Sequence, residues 1–169
     1  MDILKIILKE LAHATTFPYI CQTILLCNME FNEDHVLSPG IHEMEWEEFY
    51  ASFSFSPRRK ELLEGLKKVV DILQKTGCSV IYIDGSFVSE KLEPGDWDAC
   101  FDCAPIKTKD VFKQYPLSDR NEQKRLYGGE LYLASTEADE YGNKYLEFFQ
   151  QITGTGKKKG IVKIKLNDQ

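Results

Sequence analysis

The chain has 169 residues, with 27 Asp+Glu against 21 Lys+Arg and a formal charge of −6. That length fits one ordinary domain with a single core, and 43% hydrophobic with 12% aromatic content excludes a disordered chain. The acid excess argues against a protein that coats nucleic acid through a broad positive field, but it leaves room for carboxylates that hold metal.

The first 28 residues carry an apolar stretch, Thr15 to Cys27, broken by Pro18 and Gln22. It is too short to span a bilayer. Asp2 and Glu10 dilute a leader-like charge pattern, and no small-x-small cleavage site follows Leu26. Residues 1–28 read as an N-terminal extension upstream of a natural start at Met29, and residues 29–169 as the domain proper.

Residues 29–42 read as an irregular lead-in with a turn at Ser38-Pro39-Gly40. Met44, Trp46, Phe49, Tyr50 and Phe53 predict a short helix from Glu43 to about Ala51. The clearest helix follows. Ser56 is an N-cap, Pro57 suits the first helical position, and Leu62, Leu66, Val69, Val70 and Leu73 recur at helical spacing. Gly77 supplies the stop after Lys75. Gly65 inside this helix costs about 1 kcal/mol relative to Ala, so it marks a close packing contact.

Ser79 to Ile83 is a β-branched strand, followed at once by Asp84-Gly85-Ser86. Phe87 to Lys91 can form one helical turn, and Glu93-Pro94-Gly95 a turn. Asp96 to Cys103 reads as a strand. Residues 107–114 and 118–127 read as polar helices ended by Gly128-Gly129. Glu130 to Ser135 is a strand, Asn143 to Ile152 a helix, and Gly160 to Leu166 a last strand with one wet face. About four strands and four or five helices in mixed order predict an α+β (α/β-like) fold, a short mixed sheet with helices packed on it.

The five cysteines are odd in number and follow no disulfide framework, which points to a reducing cytoplasm. Cys100 and Cys103 form a lone C-x-x-C far from the histidines at 13, 35 and 42. They read as small residues on or beside a buried strand rather than as a zinc site.

The chemistry concentrates in Asp84-Gly85-Ser86, nine further residues, then Asp96-Trp97-Asp98. A Gly-Ser just past a strand lets backbone N–H groups approach an anion closely, and the Ser86 hydroxyl adds a donor. Asp96 and Asp98, two apart on a strand, face the same way. Two close carboxylates repel unless a cation or proton lies between them. Magnesium suits such a pair, since it binds through one or two carboxylates plus substrate phosphates.

This pattern resembles the signature of the polymerase β-like nucleotidyltransferase superfamily, in its minimal form. Pro39-Gly40-Ile41-His42-Glu43, the run from Arg58 to Leu66, Asp84 to Val88, Tyr127 to Leu131 and Lys159 to Val162 further resemble landmarks of a small uncharacterised bacterial family with a nucleotidyltransferase-like core. The resemblance covers about Leu37 to Leu166. It implies Asp96 and Asp98 as metal ligands for a two-ion magnesium site, and Gly85 and Ser86 as phosphate contacts. A third carboxylate comes from a later strand in that superfamily, here Glu130, with Asp102 as the alternative. Trp97 departs from the usual aliphatic residue but can anchor the core. Lys157, Lys158 and Lys159, and Arg58, Arg59 and Lys60, can each line a path for triphosphate or an RNA backbone, or be solvated surface. Tyr127 and Tyr132 can stack on a base or join the core.

The implied function is transfer of a nucleoside monophosphate from a nucleoside triphosphate to a hydroxyl of an RNA (such as tRNA) or protein acceptor. A cognate toxin or antitoxin partner in a bacterial toxin–antitoxin module is implied by resemblance alone, with no membrane role. The alternatives are a catalytically inactive binding or partner protein of the same fold, and a phosphoester hydrolase using the same ligands.

Overall fold

The computed structural model describes residues 30–116 and 118–166. The predicted 1–28 extension therefore lies outside the described residues. Five strands form one mixed sheet: β1 (Gly40–Met44), β2 (Val80–Asp84), β3 (Trp97–Asp102), β4 (Gly129–Leu133) and β5 (Gly160–Lys165), in the order β1-β5-β2-β3-β4. Helices α1 (Trp46–Phe53), α2 (Pro57–Lys75), α3 (Pro105–Gln114), α4 (Arg120–Tyr127) and the single turn α5 (Tyr145–Phe148) complete it. The fold is α+β, as the sequence predicts.

β2 runs antiparallel to both β3 and β5, whereas β3–β4 and β1–β5 are parallel. The parallel β3–β4 pair is joined through α3 and α4, because a parallel neighbour needs a crossover. That crossover carries α4 to the lip of the sheet beside the start of β4.

Helix α2 forms where the sequence places it. The Ser56 side chain accepts a hydrogen bond from the Arg59 backbone N–H, Pro57 opens the helix, and Gly77 follows its end at φ +74°. Gly65 is the contact its position predicts: a Cβ there would stand 1.9 Å from the Tyr127 carbonyl oxygen. No side chain fits, so α2 and the end of α4 touch backbone to backbone.

The sheet has two unlike faces. Ile81, Ile83, Ala99, Phe101, Leu131 and Val162 turn toward α1 and α2 and are fully buried or nearly so. The opposite face carries Tyr82, Asp84, Asp98, Cys100, Glu130, Tyr132 and Lys163, as the strand registers require. A small cluster of Cys100, Ala134, Phe149 and Ile161, with Tyr145 and Phe148 packed against it, covers part of that face.

Three sequence expectations change. Gly40 to Met44 is a strand, not the end of a lead-in and the start of a helix; α1 begins only at Trp46. The helix expected over Asn143 to Ile152 is one turn, because Gln151 pairs back to Lys158 across the Gly154 and Gly156 turns. Cys78 and Cys103, read as unpaired, form a disulfide joining the ends of β2 and β3, while Cys100 is free and buried. No helix among the described residues is long and apolar enough to cross a membrane.

Candidate active site

Three adjacent strands bring their carboxylates abreast. Asp84, the last residue of β2, pairs with Asp98 of β3, and Asp98 pairs with Glu130 of β4. Residues in register on neighbouring strands point to the same face, about 5 Å apart. Asp96 sits just before β3 and joins them. Asp102 does not: it lies opposite Val80 at the far, exposed end of β3, about 13 Å from Asp98 at strand spacing. Of the two candidates for a third carboxylate, only Glu130 is at this end of the sheet.

Gly85 is required here twice over. Its φ of +81° turns the chain out of β2 into the short 3-10 turn Gly85–Val88, and a Cβ would stand 2.6 Å from Asp98 Oδ2. The Asp98 carboxylate therefore rests directly over the glycine backbone, and Ser86 follows on the turn. Trp97 is fully buried and donates its Nε1–H to the Tyr127 carbonyl at 2.9 Å, so it anchors the strand between its two acids.

The charges are unequally compensated. The Lys124 ammonium on α4 pairs with Asp96 at 2.8 Å and Glu130 at 3.1 Å. Those contacts hold its pKa above the usual lysine range. Tyr132 donates its hydroxyl to Glu130 from the same strand. Lys159 donates to Asp84 Oδ2 at 2.9 Å and stands 2.8 Å from Oδ1 as a charge contact. Asp84 Oδ1 is nonetheless buried without a hydrogen bond, and burial outweighs Lys159 in raising the Asp84 pKa. Asp98 has no hydrogen bond or ion pair among the described residues. Burial first, then the charges of Asp96, Asp84 and Glu130, push its pKa up to about 7.

A cation fits part of this cluster. Asp98, without an ion pair among the described residues, lies over the Gly85 backbone, with Asp84 in register beside it. Four carboxylates against two ammonium groups leave two negative charges, those of one divalent ion. The two-ion arrangement fits less well. Asp96 and Glu130 are already held by Lys124, and among the described residues no three of His, Cys, Asp and Glu gather closely enough to hold a metal. Asp98 is the carboxylate best placed for an ion; Asp84 and Asp96 flank it, and each already touches an ammonium group.

Two cavities meet at this point. One, of about 440 Å³, is lined by Asp84, Asp98, Arg120, Tyr132, Tyr145 and Phe148. The other, of about 610 Å³, holds Ser86, Ser89, His35, Lys91 and Glu90. Gly85, Thr153 and Lys159 line both and form the sill between them.

Of the two basic groups, the helix-opening one is not a ligand path. Arg59 is fully buried and donates to the carbonyls of Phe87, Ser89 and Lys91. It clamps the segment after Ser86 onto α2 beneath the rings of Phe55 and Phe87. Arg58 bonds Pro94 and Gly95 carbonyls and Glu61. In the lysine loop Lys159 enters the site, whereas Lys157 pairs with Asp34. Tyr127 stacks on buried Tyr115 and belongs to the core side; Tyr132 stacks on Tyr145 under the Arg120 guanidinium and lines the smaller cavity.

Sequence reasoning missed Lys124, Arg120, Tyr145 and His35 as neighbours of the site. For Lys124 a signal existed: α4 directly precedes the strand that bears Glu130. For His35 none did, since its place depends on pairing between Val36 and Ser89, far apart in the chain.

The fold and site together define a small α+β domain with a carboxylate cluster and a glycine-serine turn at one end of its sheet. The chain belongs to a family of unknown function, DUF6932, whose model matches residues 29–165. No curated protein and no solved structure matches it.

Proposed function

We propose that this protein is a metal-dependent nucleotidyltransferase that moves a nucleoside monophosphate from a nucleoside triphosphate to a hydroxyl of an RNA or protein acceptor. The observation that supports this most is the Asp84–Asp98 pair over Gly85, a cation-demanding pair beside a turn that admits phosphate. Bound magnesium would supply charge stabilisation to the phosphoryl oxygens and acidify the attacking hydroxyl. The chain's own residues do the rest. Gly85 lets a phosphate approach the backbone, and the Ser86 hydroxyl donates to it. Lys159 holds Asp84 in place and brings positive charge between the two cavities. Lys124 offsets one charge of Asp96 and Glu130 together, and Lys159 that of Asp84, which leaves Asp98 with no ion pair among the described residues. In the reaction the acceptor oxygen bonds to the α-phosphorus, its proton passes to solvent, and pyrophosphate leaves with the bridging oxygen. A toxin–antitoxin setting for that acceptor rests on the resemblance alone.

Incubating the protein with each labelled nucleoside triphosphate, magnesium and bulk tRNA or cell lysate tests the reading. We expect label on an acceptor with the wild type and none with Asp96→Ala plus Asp98→Ala. Absence of transfer to any acceptor, with nucleotide binding untouched by the two changes, contradicts it.

One observation favours a second reading, a binding or partner protein without catalysis. Lys124 occupies the position between Asp96 and Glu130 where a third carboxylate would join a metal. On that reading Lys124→Ala changes no turnover, because there is none, and nucleotide binds without magnesium.

A further inference from the structure

The larger cavity contains side chains that no motif identifies, and its cationic and donor groups gather at one end. His35, Ser86, Lys91 and Lys159 line it, Lys159 reaching across to Asp84. Its two acids each have a partner: Asp34 pairs with Lys157 at 2.8 Å, and Glu90 accepts a hydrogen bond from His35 at 2.7 Å. Lys91 has no ion pair among the described residues. The smaller cavity is different in kind, with Tyr132 stacked on Tyr145, Arg120 over the Tyr132 ring, and Phe148 beside them.

His35 is fixed rather than loose, although its ring is exposed. It is the only non-glycine residue with positive φ among the described residues, at +60°. Such backbone is uncommon and concentrates at ligand clamps. Asn32 Oδ1 accepts from the N–H of Asp34 at 2.9 Å and of Val36 at 3.3 Å, which shapes the turn. The Glu90 N–H donates to the His35 carbonyl at 3.2 Å, and Val36 pairs with Ser89. The Glu90 carboxylate can only accept, so His35 Nδ1 carries the hydrogen between them. Nε2 is the free ring nitrogen, and the imidazolium carries a second hydrogen there that a phosphate oxygen can accept.

We infer that the two cavities divide a nucleotide between them: the larger takes the polyphosphate tail, with His35 and Lys91 as contacts beside Ser86, and the smaller takes the nucleoside. This rests on the reading of the site as one for nucleoside triphosphates and adds which residues grip which half. Glu90 is then a positioning residue that orients the His35 ring. The sill at Gly85 and Lys159, next to Asp98, is where the α-phosphorus lies.

Calorimetric titration of the full chain with inorganic tripolyphosphate, in magnesium buffer, tests the assignment. The wild type is expected to bind it, and His35→Gln and Lys91→Gln each to weaken binding roughly tenfold or more, the size of one charge-assisted hydrogen bond. Glu90→Gln should weaken it less. Tyr145→Ala should leave tripolyphosphate affinity unchanged while weakening nucleoside triphosphate. Melting curves that match the wild type keep these losses from being unfolding. No tripolyphosphate binding by the wild type, or wild-type affinity in either the His35→Gln or the Lys91→Gln protein, overturns the inference. The two readings separate cleanly. Label transfer without a His35 effect on tripolyphosphate removes the cavity assignment alone. His35-dependent tripolyphosphate binding without transfer to any acceptor removes the transferase and leaves the pocket.

Discussion

The two faces of the sheet use the same strands for opposite ends. One face is closed by α1 and α2 with apolar side chains that are almost wholly buried. The other sets Asp84, Asp98 and Glu130 side by side at one end of the same strands, with no ion pair for Asp98 among the described residues. Alternation makes this possible: Ile83 and Asp84, or Asp98 and Ala99, point to opposite sides. Like charges in a row cost stability. The packed face offsets that cost, and substitutions on the two faces should differ in sign as well as in size.

The largest effect should come from the packed face. Phe101→Ala removes a fully buried ring and should cost about 3–5 kcal/mol in denaturant unfolding. A loss below 1 kcal/mol would mean that this face is not the core. Next is the cross-link at the sheet's other end. The Cys78–Cys103 disulfide closes a loop with a sequence separation of 25. Cys103→Ser should cost about 3 kcal/mol under oxidising conditions and much less in reductant. Equal stability in both buffers would show that the bond contributes nothing.

The carboxylate face predicts the opposite sign. The folded pKa of Asp98 is raised to about 7, against about 4 for an unfolded Asp. The folded state therefore holds this proton more tightly. That contribution is complete below pH 4, fades as pH rises, and is gone above about 7. In metal-free buffer Asp98→Asn should flatten the pH dependence between 4 and 7 and stabilise the protein at pH 8, by at most about 4 kcal/mol. An unchanged profile would show that Asp98 does not carry this strain. Smallest is the rim. Lys163 and Lys165 both pair with half-exposed Glu43. Glu43→Gln should lower the melting temperature least of the four, and by less still in high salt.

What could be read from the sequence follows the range of the interactions involved. Helix α2 was legible end to end, because Ser56, Pro57 and Gly77 act within a turn of where they stand. The Gly85-Ser86 turn and the paired acids were legible for the same reason. β1 was not, since Gly40 to Met44 becomes a strand only through its parallel pairing with β5, some 120 residues away. Arg59 looked like surface beside Arg58 and Lys60, yet it is buried because three carbonyls from the 87–91 segment converge on it. The same long-range closure brings Lys124 onto Asp96 and Lys159 onto Asp84, and leaves Asp98 as the buried acid without an ion pair among the described residues.

The central claim is that Asp98, with Asp84 in register beside it, holds a divalent ion against a nucleotide at the Gly85 turn. Paramagnetic broadening of backbone amide signals by manganese, added with a non-hydrolysable nucleoside triphosphate, measures this directly. The account predicts strong broadening at Asp84, Gly85, Ser86 and Asp98, little at Asp102, and loss of the effect in Asp98→Asn. Broadening that is absent at Gly85, or that persists unchanged in Asp98→Asn, would contradict it.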